Sequence, residues 1–148
     1  MEAPTVQQLL GLAVVREALE AAWDDSLADD WLLRHEEGGW IYLNITTAAI
    51  SIRRAPPGGR ASVNLSSPPV VAGAVVVATF HTHPNPAAEG WNTGPGNDDS
   101  ASAWFLGVPC IIRAEDGVHS TGPDARRGGL SGGHGFPPLL WLPNGADR

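Results

Sequence analysis

The feature that most constrains the fold is an apolar segment in the middle of the sequence. Residues 74–80 read Ala-Val-Val-Val-Ala-Thr-Phe, and a polar stretch rich in Pro, Gly and Asn follows them. A short apolar run without alternation, rich in β-branched residues, is typical of a strand that is covered on both faces. The sequence therefore predicts a central strand over Ala74–Phe80, with a long loop over 81–95 at its end.

Helical and strand patterns flank this central segment. Apolar residues recur at helical spacing from residue 5 to residue 23, and Thr5 with Gln8 has the form of a capping box at the start of that helix. Alternating residues and turn signals predict further strands and one short helix. The predicted strands cover 40–45, 48–53, 61–65, 109–113 and 117–120, and the short helix covers 100–106. Together these elements predict an α/β (α+β) fold.

Size and charge exclude several classes of protein. The 148 residues suit a single domain, and a formal net charge of −7 argues against nucleic acid or an anionic membrane as the main partner. No apolar run reaches the roughly 18 residues that span a bilayer, and the first residues lack the basic region of a signal peptide, so we expect a cytoplasmic protein. The single cysteine, Cys110, excludes an internal disulfide and a multi-cysteine metal site.

The strongest chemical signal is His81-Thr82-His83-Pro84, directly after the predicted central strand. Side chains at i and i+2 of an extended chain project to the same side, so the two imidazoles can chelate a divalent metal such as zinc. Asp98 and Asp99 stand at the start of the next helix, where a carboxylate completes a three-ligand site that leaves the fourth position to water. The same two residues also suit N-capping of that helix.

A second acidic pair, Glu36-Glu37, lies just before the first predicted strand. A hydrolytic zinc site needs a carboxylate that is near the attacking water but is not bound to the metal, since this group carries the proton to the leaving amine. A glutamate that enters a strand beside the histidine-bearing strand can supply it. Without the other motifs, Glu36 would be interpreted as an ordinary surface acid.

Three short motifs in this order resemble the JAMM/JAB (MPN+) zinc metalloproteases. The motifs are Glu36-x-x-Gly39, His81-x-His83-Pro84 and Pro95-Gly96-x-x-Asp99, and the resemblance covers about residues 5 to 120. It implies a mixed, twisted β-sheet, flanked by an N-terminal helix and by a helix after the HxHP loop. It places this metalloprotease-like domain in residues 1–122. Residues 123–148 then form a flexible Gly/Pro-rich tail with an apolar anchor at Leu139-Leu140-Trp141-Leu142.

By position, the resemblance implies that zinc is held by His81, His83 and Asp99. It also implies that Glu36 is the general acid/base. Glu37 is the alternative to Glu36, because neighbouring strand positions point to opposite faces, and Asp98 is the alternative to Asp99.

The chain departs from the family pattern at Gly96, where the family has a serine that donates a hydrogen bond to the oxyanion. Losing such a donor can cost about 10²- to 10³-fold in rate. Thr93, Asn97 or a backbone N–H are candidates to replace it. The interval from His83 to Asp99 is also long, and its extra residues, which include Trp91, either contact substrate or form a packed surface loop.

The resemblance implies hydrolysis of an amide or isopeptide bond after the C-terminal glycine of a ubiquitin-like protein, in conjugates or precursors, with E1/E2-like proteins as possible associates. One alternative is a peptidase of this type with another role, such as toxin-associated processing or hydrolysis of small conjugates. Another is a catalytically inactive MPN-like scaffold module. A third is a metal-binding cupin-like barrel, which needs further ligands such as His119 or His134. The substrate and the oligomeric state stay open.

Overall fold

A computed structural model describes residues 1–131 and 133–138 of the chain. Over these residues the chain forms three α-helices, five strands and a short 3-10 helix at Ala87–Glu89. In chain order the helices and strands are α1 (Val6–Leu10), α2 (Ala13–Asp25), β1 (Gly38–Asn44), β2 (Ile50–Arg54), β3 (Ala74–His83), α3 (Asn97–Leu106), β4 (Cys110–Ala114) and β5 (Gly117–Thr121). Among the described residues, no helix has the length and apolar character that crossing a membrane requires.

The five strands form one open mixed sheet in the order β2-β1-β3-β4-β5. β3 and β4 run parallel, and the other neighbours are antiparallel. The mixed sheet and its helices confirm the predicted α+β class. The open sheet is not the barrel that a cupin-like fold requires.

β3 lies at the centre of this sheet, as the apolar run predicts. All of its residues are buried except His83. Val75 and Phe80 pack in one apolar cluster with the N-terminal helices, whereas Val76 packs in another with Trp40 and Tyr42. The strand is therefore held on both faces, and it delivers the residues at its end from a rigid position.

The N-terminal helix is two helices. The capping box at Thr5 is confirmed: the Thr5 N–H donates to Gln8 Oε1 at 2.9 Å, and the Gln8 N–H donates to Thr5 Oγ1 at 3.1 Å. The predicted single helix over 5–23 is wrong, because the chain breaks after α1 at Gly11 and Leu12. Glycine is a poor helix former, and Leu12 is extended, so α2 starts afresh and packs on the sheet.

The predicted third strand over 61–65 is also wrong. Residues 55–73 of the described chain form a loop between β2 and β3, in which the Gly59 N–H donates to the Ser62 carbonyl at 2.8 Å and the Trp40 indole N–H donates to the Leu65 carbonyl at 3.0 Å. The segment does not pair with the outer side of the edge strand β2, and β1 is already paired on both sides, with β2 and β3. These loop hydrogen bonds take the place of a strand pairing.

The segment after β5 packs against the sheet over the residues that the structure describes. β4 pairs with β3 only from Thr79 onward, which leaves one edge of the earlier β3 residues open. There the Val76 N–H donates to the His134 carbonyl at 3.0 Å, and the buried Arg126 guanidinium donates to the Val76 carbonyl at 2.8 Å. This differs from the flexible tail that the composition predicts. The predicted anchor at 139–142 lies outside the described residues, and the predicted domain boundary at 122 stays a prediction.

Candidate metal centre

Three separate parts of the chain bring four of the predicted site residues together. β3 carries His81 and His83 at its end, the first turn of α3 carries Asp99, and the segment before β1 carries Glu36. β3 runs beyond the predicted end because its residues from Thr79 to His83 pair in parallel with β4. The two histidines are therefore strand residues, and their side chains point to the same side.

The nitrogen and oxygen atoms of three of these residues converge. His81 Nε2 lies 3.1 Å from His83 Nε2 and 3.2 Å from Asp99 Oδ1, and His83 Nε2 lies 3.3 Å from Asp99 Oδ2. Donor atoms at about 2.0–2.1 Å from a tetrahedral zinc ion are about 3.3–3.4 Å apart, by the geometry of a tetrahedron. Each of these distances is close to the spacing of ligands around one small divalent ion, although Asp99 reaches the two rings through different carboxylate oxygens.

Charge shifts the pKa of Asp99 and of His83 in opposite directions. Burial by itself would raise the pKa of Asp99, but hydrogen bonds from His81, His83 and the Gly96 N–H outweigh it and hold the pKa well below its usual range. Burial by itself would lower the pKa of His83, but Asp99, Glu36 and the Thr93 carbonyl together raise it. The Asp99 carboxylate therefore stays ionised, and it favours the protonated form of His83.

Glu36 completes a buried group that could hold a metal ion. One carboxylate oxygen of Glu36 and one ring nitrogen each of His81 and His83 all lie within 4.8 Å of one another. The residue is only 7% exposed. Burial raises the pKa of its carboxyl to about 7; His83 opposes this shift and Asp99 adds to it. A carboxyl group with this pKa can both accept and return a proton near neutral pH.

The backbone of Glu36 is fixed by the loop after β2. The Glu36 N–H donates to the Gly59 carbonyl at 2.8 Å, and the Gly58 N–H donates to the Glu36 carbonyl at 2.8 Å. Gly58 has no room for a side chain, since a Cβ there would lie 2.2 Å from the Ser62 carbonyl oxygen. The glycine allows the close approach that holds Glu36 in place.

Glu37 faces away from His81 and His83. Its carboxylate contacts His35 Nε2 at 2.5 Å and accepts a hydrogen bond from the Arg54 guanidinium at 2.7 Å, and Arg54 also pairs with Asp25 at 3.0 Å. Glu36 and Glu37 therefore occupy opposite faces, as alternation along a strand requires. Of the two, the structure places Glu36 beside the candidate ligands.

The start of α3 decides between the two aspartates. The helix begins at Asn97, three residues before the predicted start at Ser100, so both aspartates lie in its first turn; Asp98 is exposed and Asp99 is half-buried. Asp99 Oδ2 accepts a hydrogen bond from the Gly96 N–H at 2.9 Å. Asp99 thus both caps the helix and faces the histidines, although the sequence suggested one residue for each task.

The residues considered as oxyanion donors are placed differently from one another. The Gly96 N–H is engaged with Asp99, and the Thr93 hydroxyl donates to Asp116 Oδ2 at 3.0 Å, in the hairpin between β4 and β5. Neither group is free to donate a hydrogen bond to an oxyanion, which is the role of the serine in the JAMM/JAB pattern. Asn97 is exposed at the helix start and lines the cleft beside the site.

Two adjoining clefts meet at the candidate site, with volumes of about 460 Å³ and about 410 Å³. Both are lined by Glu36, Asp98 and Asp99. The first also contacts polar residues and Trp91, and the second contacts apolar residues that include Phe105. An extended substrate that crosses from one cleft to the other would pass the histidines.

The outer ring nitrogens of the two histidines differ in their surroundings. His81 Nδ1 lies 3.5 Å from the sulfur of Cys110, whereas His83 Nδ1 is buried and has no hydrogen-bond partner among the described residues, although the Thr93 backbone is close enough to raise the pKa of His83. Burial raises the pKa of Cys110 to about 12, with Asp99 and Glu36 adding to the shift and Thr79 opposing it, so the group stays a thiol. Metal-binding histidines usually donate their second N–H to a carboxylate, a carbonyl or water, which fixes the ring orientation. The donor set and its spacing fit a bound metal ion, while the outer nitrogens of the two rings do not have such acceptors among the described residues.

His119 and His134 are not part of this group. His119 Nε2 pairs with Asp116 Oδ1 at 2.8 Å, and His134 Nδ1 contacts the Ala74 carbonyl at 3.1 Å. They do not provide the extra ligands that the cupin-like reading needed.

Sequence reasoning missed two residues beside the site. Asn85 is buried, and its Oδ1 atom has no hydrogen-bond partner in the described part of the chain, while its amide donates to the Arg60 carbonyl at 2.8 Å. Thr82 is fully buried between the two histidines and contacts Ser26. Asn85 could have been found from its position just after the His81-x-His83-Pro84 motif. The contact between Thr82 and Ser26 spans 56 residues, so no local sequence pattern indicates it.

Comparisons of the chain with protein-family models, with curated proteins and with solved structures found no match.

Proposed function

We propose that this protein is a zinc-dependent peptidase of the JAMM type, which acts in the cytoplasm and cleaves an amide or isopeptide bond after the C-terminal glycine of a ubiquitin-like protein. The observation that carries the proposal is the convergence of His81, His83 and Asp99 at 3.1 to 3.3 Å, with the buried Glu36 beside them. The order of the three motifs along the chain, which resembles that family, adds support.

Zinc suits the donor set. Two imidazole nitrogens and one carboxylate oxygen are the ligands of many catalytic zinc sites, which leave the fourth position open. Calcium and magnesium prefer oxygen ligands, so two histidines favour a transition metal. We assign His81, His83 and Asp99 as the ligands because the two ring nitrogens and the Asp99 carboxylate oxygens lie 3.1 to 3.3 Å apart, and we assign Glu36 to proton transfer.

Zinc in such a site supplies a Lewis acid that activates water and polarises a carbonyl group. Glu36 then accepts the proton of the attacking water and returns it to the departing nitrogen. Its burial and its pKa of about 7 in the metal-free protein suit a group that changes protonation state during turnover. Asp99 is held by the Gly96 N–H, so the ligand keeps its orientation without a side chain at position 96.

The surroundings of the site favour a polypeptide substrate. The two clefts extend on either side of Glu36 and Asp99, which leaves room for substrate residues before and after the scissile bond. Asn85 also lines the first cleft, and its amide is fixed by a hydrogen bond to the Arg60 carbonyl at 2.8 Å, so this wall of the cleft is polar and held in place. The ubiquitin-like substrate, and any E1/E2-like partner, rests on the family resemblance.

The second candidate is an MPN-like scaffold that binds partners without catalysis. The observation that favours it is Gly96, which has no hydroxyl, together with the engagement of the Gly96 N–H and the Thr93 hydroxyl elsewhere. A peptidase of the same type with another substrate differs from the first proposal only in what enters the clefts.

Glu36→Gln tests the proposed roles. The zinc-loaded variant should keep one zinc per chain and lose about 10²- to 10⁴-fold in turnover of a ubiquitin-like protein that carries a fluorogenic amide on its C-terminal glycine. Glu37→Gln is the matched control, and it should retain most of the turnover because Glu37 faces away from His81 and His83. Wild-type turnover in Glu36→Gln would contradict the role of Glu36. Zinc binding without turnover of any amide substrate by the wild type would favour the scaffold.

A further inference from the structure

A buried hydroxyl chain connects the segment that carries Glu36 to the end of α2. The Glu37 N–H lies 3.0 Å from Thr82 Oγ1, Thr82 Oγ1 lies 2.6 Å from Ser26 Oγ, and Ser26 Oγ lies 2.9 Å from the Ala22 carbonyl. Thr82 and Ser26 are fully buried. Three elements of the fold therefore meet at one side chain of β3.

Donor and acceptor roles in this chain follow from elementary chemistry. A backbone N–H can only donate and a carbonyl can only accept, so Glu37 donates to Thr82 and Ser26 donates to Ala22. The one hydroxyl hydrogen of Ser26 is then used, and Thr82 must donate to Ser26. All three hydrogen bonds therefore run in the same direction, from Glu37 through Thr82 and Ser26 to Ala22. Only a hydroxyl at position 82 can accept one of these bonds and donate the next.

The position of Thr82 makes this chain relevant to Glu36. The β1–β3 ladder ends at Gly38, opposite His81. Beyond that point the Glu36–Glu37 segment is bonded to β3 through Thr82: its N–H donates to the Glu37 carbonyl at 2.9 Å, and its hydroxyl accepts from the Glu37 N–H. The backbone of Glu36 itself is bonded to the loop after β2. Thr82 thus ties this segment to the strand that carries both histidines.

We propose that Thr82 is a positioning residue, which sets the distance of Glu36 from the two histidines through the hydroxyl chain to Ser26. Its side chain points away from the imidazoles, so it acts on Glu36 and leaves the ligand atoms unchanged. The catalytic consequence rests on the proposed function, whereas the placement of the Glu36 segment can be measured without it.

Thr82→Val removes the hydroxyl and keeps the shape of the side chain. The Glu37 N–H then loses its acceptor in a buried position, and the Glu36 segment loosens from β3. For zinc-loaded protein with the fluorogenic amide substrate, kcat should fall about 10- to 100-fold while KM and zinc affinity stay within about 3-fold, because displacements near 1 Å have effects of this size. Thr82→Ser keeps the hydroxyl and should restore kcat.

Hydrogen exchange at the Glu37 amide provides a readout without turnover. The amide should exchange slowly in the wild type and in Thr82→Ser, and at least about 10-fold faster in Thr82→Val. Ser26→Ala removes only the hydroxyl that Thr82 donates to, so it is the second variant if Thr82→Val does not fold. It should increase the exchange rate of the Glu37 amide by a smaller factor.

Several results would overturn the proposal. Unchanged Glu37 exchange in both Thr82→Val and Ser26→Ala would show that the hydroxyl chain does not hold the segment. Loss of zinc in Thr82→Val, or failure of Thr82→Ser to restore kcat, would place Thr82 in metal binding or general packing. If the wild type turns over no amide, the proposed function fails by itself, and the exchange rates still decide whether Thr82 holds the Glu36 segment.

Discussion

The backbone N–H of Gly96 donates to Asp99 Oδ2 at 2.9 Å, so the residue that departs from the family pattern also orients a candidate metal ligand. The same oxygen lies 3.3 Å from His83 Nε2. A serine at position 96 could make this backbone bond equally well, so the glycine preserves the ligand and gives up only a hydroxyl. Under the proposed function, this departure should therefore affect the rate more than metal binding.

Burial of Glu36 should make the metal-free protein less stable as pH rises. Its folded pKa of about 7 is above its ordinary value of 4.5, so the stability that the protonated carboxyl provides is complete below pH 4.5 and is lost as pH rises through about 7. Glu36→Gln stays neutral, and at about pH 8 it should exceed the wild type by on the order of 2–3 kcal/mol in free energy of unfolding. Urea denaturation with a chelator present checks this, and an equal difference at about pH 4 would contradict it.

Zinc binding should release protons. At about pH 6 the metal-free protein holds a proton on Glu36, whose pKa is about 7, and the raised pKa of His83 favours its protonated form. A cation at the site favours their deprotonated forms, so the apparent zinc affinity should rise with pH and level off above neutrality. Calorimetry in buffers of different ionisation enthalpy counts the protons. Glu36→Gln should release fewer of them, and equal numbers would contradict the burial of a protonated Glu36.

Gly39 should not tolerate a side chain. A Cβ there would lie 2.1 Å from the Arg53 carbonyl oxygen, in the β1–β2 ladder, whereas a Cβ on Gly59 meets nothing within 4 Å. Gly39→Ala should cost at least about 1–3 kcal/mol in free energy of unfolding, as overpacking does. Gly59→Ala, the matched control, should stay within about 0.5 kcal/mol. Equal stability of the two variants in urea denaturation would contradict this packing.

Arg126 should anchor the segment after β5. Its guanidinium donates to the carbonyls of Val76 at 2.8 Å, Gly135 at 2.6 Å and Gly129 at 2.9 Å, and it is 4% exposed. Arg126→Ala should cost about 2–4 kcal/mol, because several carbonyls lose a charged donor. Arg16→Ala, which changes an exposed arginine, is the control. A cost for Arg126→Ala no larger than that of the control would mean that these bonds contribute little.

Local patterns predicted the fold well where a single segment carries the information. The apolar run gave the central strand, and Thr5 with Gln8 gave the start of α1. The failures have non-local causes. Residues 61–65 have strand character, but they do not pair with the edge strand β2; the Leu65 carbonyl instead accepts a hydrogen bond from the Trp40 indole, 25 residues earlier in the chain. The Gly-rich segment suggests flexibility, yet Arg126 reaches a carbonyl that lies 50 residues earlier in the chain.

In the candidate site, too, local patterns predict some features, and tertiary packing alone fixes the others. Alternation along an extended chain predicts that His81 and His83 share a side, and their ring nitrogens lie 3.1 Å apart. The choice between Asp98 and Asp99 depends on where α3 begins, and helix boundaries are uncertain by a few residues from sequence alone. The choice between Glu36 and Glu37 depends on how β1 pairs with β3. The pairing of Thr82 with Ser26 is fixed only by tertiary packing.

The most direct test of the account is zinc binding by the purified protein, measured by metal analysis and competition with a chelator. We predict one zinc per wild-type chain, and a loss of at least about 100-fold in affinity in both His81→Ala and Asp99→Asn, because each removes a ligand. His119→Ala, the control, should bind as the wild type does. No zinc uptake by the wild type, or equal affinity in Asp99→Asn, would contradict the metal centre of His81, His83 and Asp99.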